Sequence, residues 1–377
     1  MSLAINKFLA RRVDDAAIDT FLAGKTFPLV ENESLTFVYR GAADAVYLRH
    51  FIYGLPSGTA FKRHPGTDFW YLTIELPEGS RVEYKLDIHR NGGNEWVRDP
   101  LNPNLAHDPF GANSVAQGKG YERPEWTHPD PEARRGGIEE FVLRDTPFGD
   151  PRRISVYVPA RFRPQRRYPM LIVHDGGDYV NFAAFKTVLD NLIHRLEVAP
   201  LIAVLLHPTD RLIEYADDAR HARFVAEQVV PFIEERYTIY PGKQARCLMG
   251  ASFGAVASLS TAYRYPDTFG SLLLQSGSFA FTDIGEQKRG PAFDRVVEFV
   301  NEFRENPGKP VDKVFVSCGV YESLIYENRS MVPRLQSAGM TVRYVEARDG
   351  HNWENWRDRM RSALSWLFPG PLWMVYE

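Results

Sequence analysis

The sequence predicts an α/β chain in which a mostly parallel, helix-covered sheet follows a small antiparallel β-sandwich. Three observations carry this. From Ile138 onward, apolar runs of strand length alternate with segments of helical period, as in a parallel sheet buried on both faces. Before Tyr121, short runs rich in aromatic and β-branched residues alternate in period two between Gly, Pro and Asp turns, the pattern of an antiparallel sandwich. Between them, Pro124 to Gly137 holds three prolines and two glycines and reads as a linker. The expected division is therefore 1–123, 124–137 and 138–377.

The elements follow in order. Residues 1–30 read as one amphipathic helix, clearest over Ala16 to Leu22, ending in a turn around Gly24 and Pro28. Leu35–Tyr39 and Ala45–Leu48 flank a turn at Gly41 to Asp44, and Phe69–Ile74 and Val82–Ile88 flank Pro77-Glu78-Gly79. In the second half, strands are expected at Ile154–Val158, Met170–Val173, Leu201–Leu206, Ala245–Met249, Ser271–Leu274, Val314–Val316 and Val342–Val345. Helices are expected over about 181–198, 219–237, 254–265, 291–306, 328–339 and 353–367, by apolar spacing and flanking turn residues. In such a sheet, ligands gather at the carboxyl ends of the strands.

Composition narrows the function. The 377 residues are 44% hydrophobic and 25% charged, with a net charge of −3 and a pI near 6.4. That balance argues against a nucleic-acid or anionic-membrane surface, and no run approaches the roughly 20 apolar residues of a membrane span. Charged residues interrupt Met1 to Leu22, so no signal-peptide core is seen and a cytoplasmic enzyme is expected. Cys247 and Cys318 lie in apolar strand-like runs and read as buried free thiols. No CxxC, HExxH or EF-hand spacing occurs, so no metal or other cofactor is expected.

Chemistry concentrates around Gly250-Ala251-Ser252-Phe253-Gly254. An apolar run enters this turn and a helical segment leaves it, which is the strand–turn–helix context of a Gly-x-Ser-x-Gly nucleophile elbow. A serine hydroxyl needs an adjacent base oriented by a carboxylate. The only histidine after Ser252 is His351, in a loop before the last helix. Among the acids between them, Asp294, Glu298, Glu302 and Glu305 fall on a helix face, and Glu327 suits a helix N-terminus. Asp349 is too close to His351 in sequence to orient its ring. Glu322, just past the strand ending at Gly319, is the best acid. An oxyanion hole needs N–H groups from Phe253 and from the loop after an early strand. His174-Asp175-Gly176-Gly177-Asp178-Tyr179 supplies that loop, with Gly177 and Asp178 as donors and His174 and Asp175 as shaping residues.

These stretches, with Arg211-Leu212-Ile213-Glu214-Tyr215, Gln275-Ser276-Gly277-Ser278, Gly319-Val320-Tyr321-Glu322 and Asp349-Gly350-His351-Asn352-Trp353-Glu354-Asn355-Trp356-Arg357, resemble the esterase D group of α/β-hydrolases. The similarity is strongest to its enterochelin (ferric-enterobactin) esterase branch and spans Glu139 to Phe368. Phe69-Trp70-Tyr71 and Asp99-Pro100-Leu101-Asn102-Pro103 resemble the immunoglobulin-like early-set domain that precedes such esterases. The resemblance implies an α/β-hydrolase fold, with Ser252 as nucleophile, His351 as base and Glu322 as acid. Arg211 and Glu214 would line or brace the site. This chain has Asp349-Gly350-His351-Asn352 where the family often has Gly-Gly-His-Asp.

The expected activity is serine carboxylic-ester hydrolysis on a small-molecule substrate. Tyr179, Trp353 and Trp356, with Phe279 and Phe281, could face a flat aryl group in a ferric siderophore or related ester, or instead serve as core. A feruloyl or acetyl-xylan esterase is the alternative within the group. A non-catalytic binding protein is the alternative outside it, with Trp70, Tyr71 and Trp96 as a sugar platform. Oligomeric state is not legible.

Overall fold

The computed structural model describes residues 2–282 and 290–371. Packing divides the chain into two units. The first comprises Met1–Glu122 together with two short loops from far along the chain, Val320–Ser323 and Ala347–Asn352. The second takes the remainder.

The single N-terminal helix expected from the sequence is two, α1 (Ala4–Leu9) and α2 (Asp15–Leu22). The break comes where Asp14 leaves helical geometry to cap α2, its carboxylate accepting the Ala17 N–H at 3.0 Å. Two antiparallel sheets follow. One pairs β1 (Leu29–Glu31), β2 (Ser34–Arg40), β6 (Phe69–Glu75) and β5 (Lys62–Arg63). The other runs β4 (Gly58–Ala60), β3 (Ala45–His50), β7 (Arg81–Arg90), β10 (Gly111–Gln117) and β9 (Leu105–Asp108), with β8 (Gly93–Val97) also on β7. Leu35, Phe37 and Trp70 from the first sheet share a core with Val46, Leu48, Tyr84, Leu86 and Ile88 from the second. Period two puts these residues on one face of each strand. The turns at Gly41–Asp44 and Pro77–Gly79 therefore carry the chain from one sheet to the other and close no hairpin. Tight hairpins are closed elsewhere, between β1 and β2, between β9 and β10, and at Asn91-Gly92, whose φ values of 50° and 79° suit the two-residue turn joining β7 to β8.

In the second unit, one eight-stranded sheet is ordered β11 (Gly137–Leu143), β12 (Arg152–Val158), β14 (Ile202–Leu206), β13 (Met170–Val173), β15 (Arg246–Ala251), β16 (Ser271–Gln275), β17 (Lys313–Gly319) and β18 (Thr341–Ala347). β11 and β12 are antiparallel to each other and β12 is antiparallel to β14, while β14, β13, β15, β16 and β17 run parallel. Both faces are buried. Met170, Ile172, Val204 and Leu248 enter one core, and the intervening Leu171, Val173, Ala203, Cys247 and Met249 enter the other. That is why the central strands read as unbroken apolar runs. β11 escaped the sequence reading because most of its side chains are exposed.

The helices are α3 (Gly176–Phe182), α4 (Phe185–His194), α5 (Arg211–Glu214), α6 (Ala219–Arg223), α7 (Val230–Arg236), α8 (Phe253–Arg264), α9 (Asp294–Glu305), α10 (Ile325–Ser337) and α11 (Trp353–Leu367). The helix expected over 181–198 is split at Ala184, which takes a left-handed φ of 49°. Between α6 and α7 the helix widens into a π turn over Phe224–Val229, next to Pro231, which has no N–H to donate. Residues 124–137 belong to the second unit, where Trp126 is buried and its carbonyl accepts from Asn191 Nδ2 at 2.9 Å. Cys247 and Cys318 are free and buried. No helix among the described residues is long and apolar enough to cross a membrane.

Candidate active site

Ser252 follows the strand β15 and precedes α8 with φ 57° and ψ −119°, outside the regions ordinary side chains favour. Its backbone is held on both sides: the N–H donates to the Gln275 carbonyl at 2.9 Å, and its carbonyl accepts from the Ser278 N–H at 3.2 Å. The flanking glycines are required by close approach. A Cβ on Gly250 would lie 2.3 Å from the Gly254 carbonyl group, and one on Gly254 would lie 3.1 Å from His174 Cβ. So the turn closes on itself only with small residues, and the serine hydroxyl is displayed at its tip. Ser252 Oγ lies 3.1 Å from Ser278 Oγ.

Phe253 opens α8, and Gly177 and Asp178 lie in the first turn of α3, where helix N–H groups have no intrahelical acceptor. Gly176 sits where β14 leaves no room, since a Cβ there would fall 2.5 Å from Leu205 Cα. Asp175 enters this turn with a left-handed φ of 56°. Two groups hold it: the Tyr215 hydroxyl accepts its N–H at 3.1 Å, and Arg211 clamps its carboxylate, Nε to Oδ1 at 2.9 Å and Nη2 to Oδ2 at 2.8 Å. The same guanidinium reaches the Ala251 carbonyl at 3.4 Å, tying this loop to the elbow. Arg211 and Glu214 thus have different partners. Glu214 is buried, bonds Arg152 Nη1 at 2.7 Å and accepts the Thr209 and Asp210 N–H groups.

The aromatic residues are largely internal. Tyr179 is fully buried and donates from its hydroxyl to Gln275 Oε1 at 2.7 Å. Trp356 is buried and donates from Nε1 to Ser276 Oγ at 2.9 Å, while Trp353 is half-buried and packs edge-on against both rings. Phe279 and Phe281 lie in the core. These rings brace the turns after β13 and β16.

His351 and Glu322 come together in the first unit. His351 Nδ1 lies 2.7 Å from Glu322 Oε2, with the glutamate 3% exposed and the imidazole side chain 38% exposed. A buried carboxylate on one ring nitrogen fixes the ring's orientation. Glu322 follows β17 and His351 follows β18, as Ser252 follows β15. Asp349 is spent elsewhere: its Oδ1 accepts from Arg81, Asn352 and the Gly350 N–H. Burial pushes its carboxyl up to about 6, against the lowering effect of Arg81. Arg81 escaped the sequence reading, and Ser278 was quoted there without a role. Nothing in a strand-opening arginine announces a partner 268 residues away, whereas Ser278 was within reach as part of the Gln-Ser-Gly-Ser stretch.

Among the described residues, no group of three or more His, Cys, Asp or Glu is arranged to hold a metal ion. With the elbow and the acid–histidine pair in view, a family model for esterases matches residues 146–367. The chain belongs to the Esterase family. Its reaction class is carboxylic-ester hydrolysis. It is 21% identical over 337 residues to the iron(III) enterobactin esterase of Escherichia coli strain K12, covering 81% of this chain and 80% of that one. A stretch of 150 residues is 28% identical to YjcH of Bacillus subtilis, spanning 38% of this chain and 62% of that protein. Among solved structures, the enterobactin esterase of Shigella flexneri, crystallised in the presence of enterobactin, superposes with a TM-score of 0.76 at 18% identity, covering 93% of this chain and 97% of that one. The fold of this esterase is thus that of an enterochelin esterase-like α/β-hydrolase, preceded in the sequence by a β-sandwich.

Proposed function

We propose that this esterase opens ester bonds of an aryl-bearing siderophore of the catecholate lactone type through an acyl-enzyme on Ser252. The observation that carries the mechanism is the 2.7 Å pair of His351 Nδ1 and Glu322 Oε2, in a chain whose elbow holds Ser252 in a strained turn. In this mechanism Ser252 Oγ attacks the ester carbonyl carbon as its proton passes to His351 Nε2, and Glu322 stabilises the imidazolium from the other nitrogen. The tetrahedral oxyanion takes N–H donors from Phe253, Gly177 and Asp178. Collapse breaks the carbon–oxygen bond, and His351 returns the proton to the leaving alcohol oxygen. Water then repeats the cycle on the acyl-enzyme, losing its proton to His351 and releasing the acid.

The substrate class is supported by the similarity of nearly the whole chain to enterobactin esterases; a cytoplasmic reaction is part of the same reading. Ser252→Ala is expected to lower kcat on a catecholate trilactone by on the order of 10³-fold or more and to abolish labelling by a fluorophosphonate. Normal turnover by that variant would sink the mechanism. Feruloyl and acetylated sugar esters turned over faster than the trilactone would sink the substrate assignment and leave the mechanism standing.

A further inference from the structure

We propose that Arg81, in the first unit's sandwich, is a positioning residue for the acid–base pair, so that the sandwich is a working part of the catalytic apparatus. This rests on the assignment of His351 as base and Glu322 as acid. Arg81 opens β7, and its side chain is 2% exposed. Its guanidinium donates from Nη1 to Asp349 Oδ1 at 3.2 Å and to Asn352 Oδ1 at 3.0 Å, and from Nη2 to Glu83 Oε1 at 3.1 Å. Its backbone N–H donates to the Arg348 carbonyl at 2.9 Å. Asp349 in turn accepts the Gly350 N–H at 2.7 Å and Asn352 Nδ2 at 2.8 Å. The residues on both sides of His351 are therefore tied to one planar guanidinium.

The acid is held the same way. Tyr321, the neighbour of Glu322, donates its N–H to the Asp349 carbonyl at 3.1 Å and accepts the Tyr53 N–H on its own carbonyl at 2.8 Å. Its hydroxyl lies 2.6 Å from Ser80 Oγ, one residue before Arg81. One charged group that opens a sandwich strand and the residue before it thus grip the two loops whose side chains meet at 2.7 Å. Catalytic geometry tolerates little slack: a misplacement of about 1 Å can cost on the order of 10²-fold in rate. The planar fork of arginine satisfies three acceptors at fixed angles, which a lysine point charge cannot copy fully.

The test is steady-state kinetics on a p-nitrophenyl ester with the full chain, alongside circular dichroism and Tm. Arg81→Ala is expected to lower kcat by on the order of 10- to 100-fold with KM within about twofold, and Arg81→Lys to recover part of that loss. If Arg81→Ala does not fold, Asn352→Ala, which removes one acceptor of the same guanidinium, is expected to give a smaller kcat loss at unchanged KM. A folded Arg81→Ala with wild-type kcat would overturn the inference, as would a fall explained wholly by KM or no recovery in Arg81→Lys. In each case a dead Ser252→Ala would leave the esterase mechanism intact, whereas an active Ser252→Ala would remove the ground for both.

Discussion

At the scale of single residues, the acid is the sharpest point to test. Glu322 is buried, with Oε2 2.7 Å from Nδ1 of an imidazole that is itself partly exposed, so in the proposed mechanism its carboxylate orients the ring. Glu322→Gln keeps the shape but removes the charge and can present an amide to Nδ1, favouring the wrong tautomer. Steady-state kinetics on a p-nitrophenyl ester should show kcat reduced by on the order of 10²- to 10⁴-fold; a wild-type kcat would mean that serine and histidine work as a pair without an acid. Ser252 and His351 stood out in the sequence as candidates because of spacing and chain order: one elbow, one downstream histidine. The role of Asp349 was not legible. Its preference for Arg81 over His351 depends on a fold that brings positions 81 and 349 together, and sequence proximity to His351 says nothing of it.

At the scale of elements, the elbow shows how steric demand writes itself into sequence. Gly250 faces backbone, not a side chain that could swing away: an added Cβ would lie 2.3 Å from the carbonyl of Gly254. Gly250→Ala is therefore expected to destabilise by more than about 2 kcal/mol, read as a lower urea midpoint, with activity lost in the fraction that folds. An unchanged midpoint would show that the turn can open without cost. The seven strands read from apolar runs all exist; six of them are largely buried, whereas β18 lies at the sheet's edge with only half-buried and exposed side chains. β11 was missed for the complementary reason, its exposed side chains giving no apolar run. The sandwich turns were seen, but their topology was not. A turn that crosses between sheets and one that closes a hairpin use the same Gly, Pro and Asp residues, and only the partner strands distinguish them.

At the scale of the whole molecule, two buried histidines contribute to the loss of stability in acid. His174 and His221 are both buried, with their Nε2 atoms 2.9 Å apart. His174 Nδ1 faces the Met249 carbonyl, so its Nε2 accepts and His221 Nε2–H donates. A proton on His174 Nε2 would set two donors against each other. Burial holds His174 down at about 4, and burial with its neighbour His174 holds His221 well below the imidazole range. The unfolded chain takes up these protons near pH 6.5, so stability is present above that pH and is lost as pH falls toward 4. Asp349, pushed up to about 6, acts oppositely, its contribution being lost as pH rises through 6. Burial likewise lowers His50, His128 and His207 and raises Asp99 and Asp178, so five imidazoles stand against three carboxyls, and Tm is expected to fall between pH 6.5 and 4, less steeply in His221→Asn. A flat profile over that range would contradict this. A different consequence follows from the loops at 320–323 and 347–352, which belong to the first unit although the strands leading into them belong to the second. A recombination event that exchanged the front segment of the gene alone would separate Ser80 and Arg81 from Tyr321, Asp349 and Asn352. Descent should therefore treat these distant positions as one inherited set, and the sandwich as a part that relatives cannot swap freely.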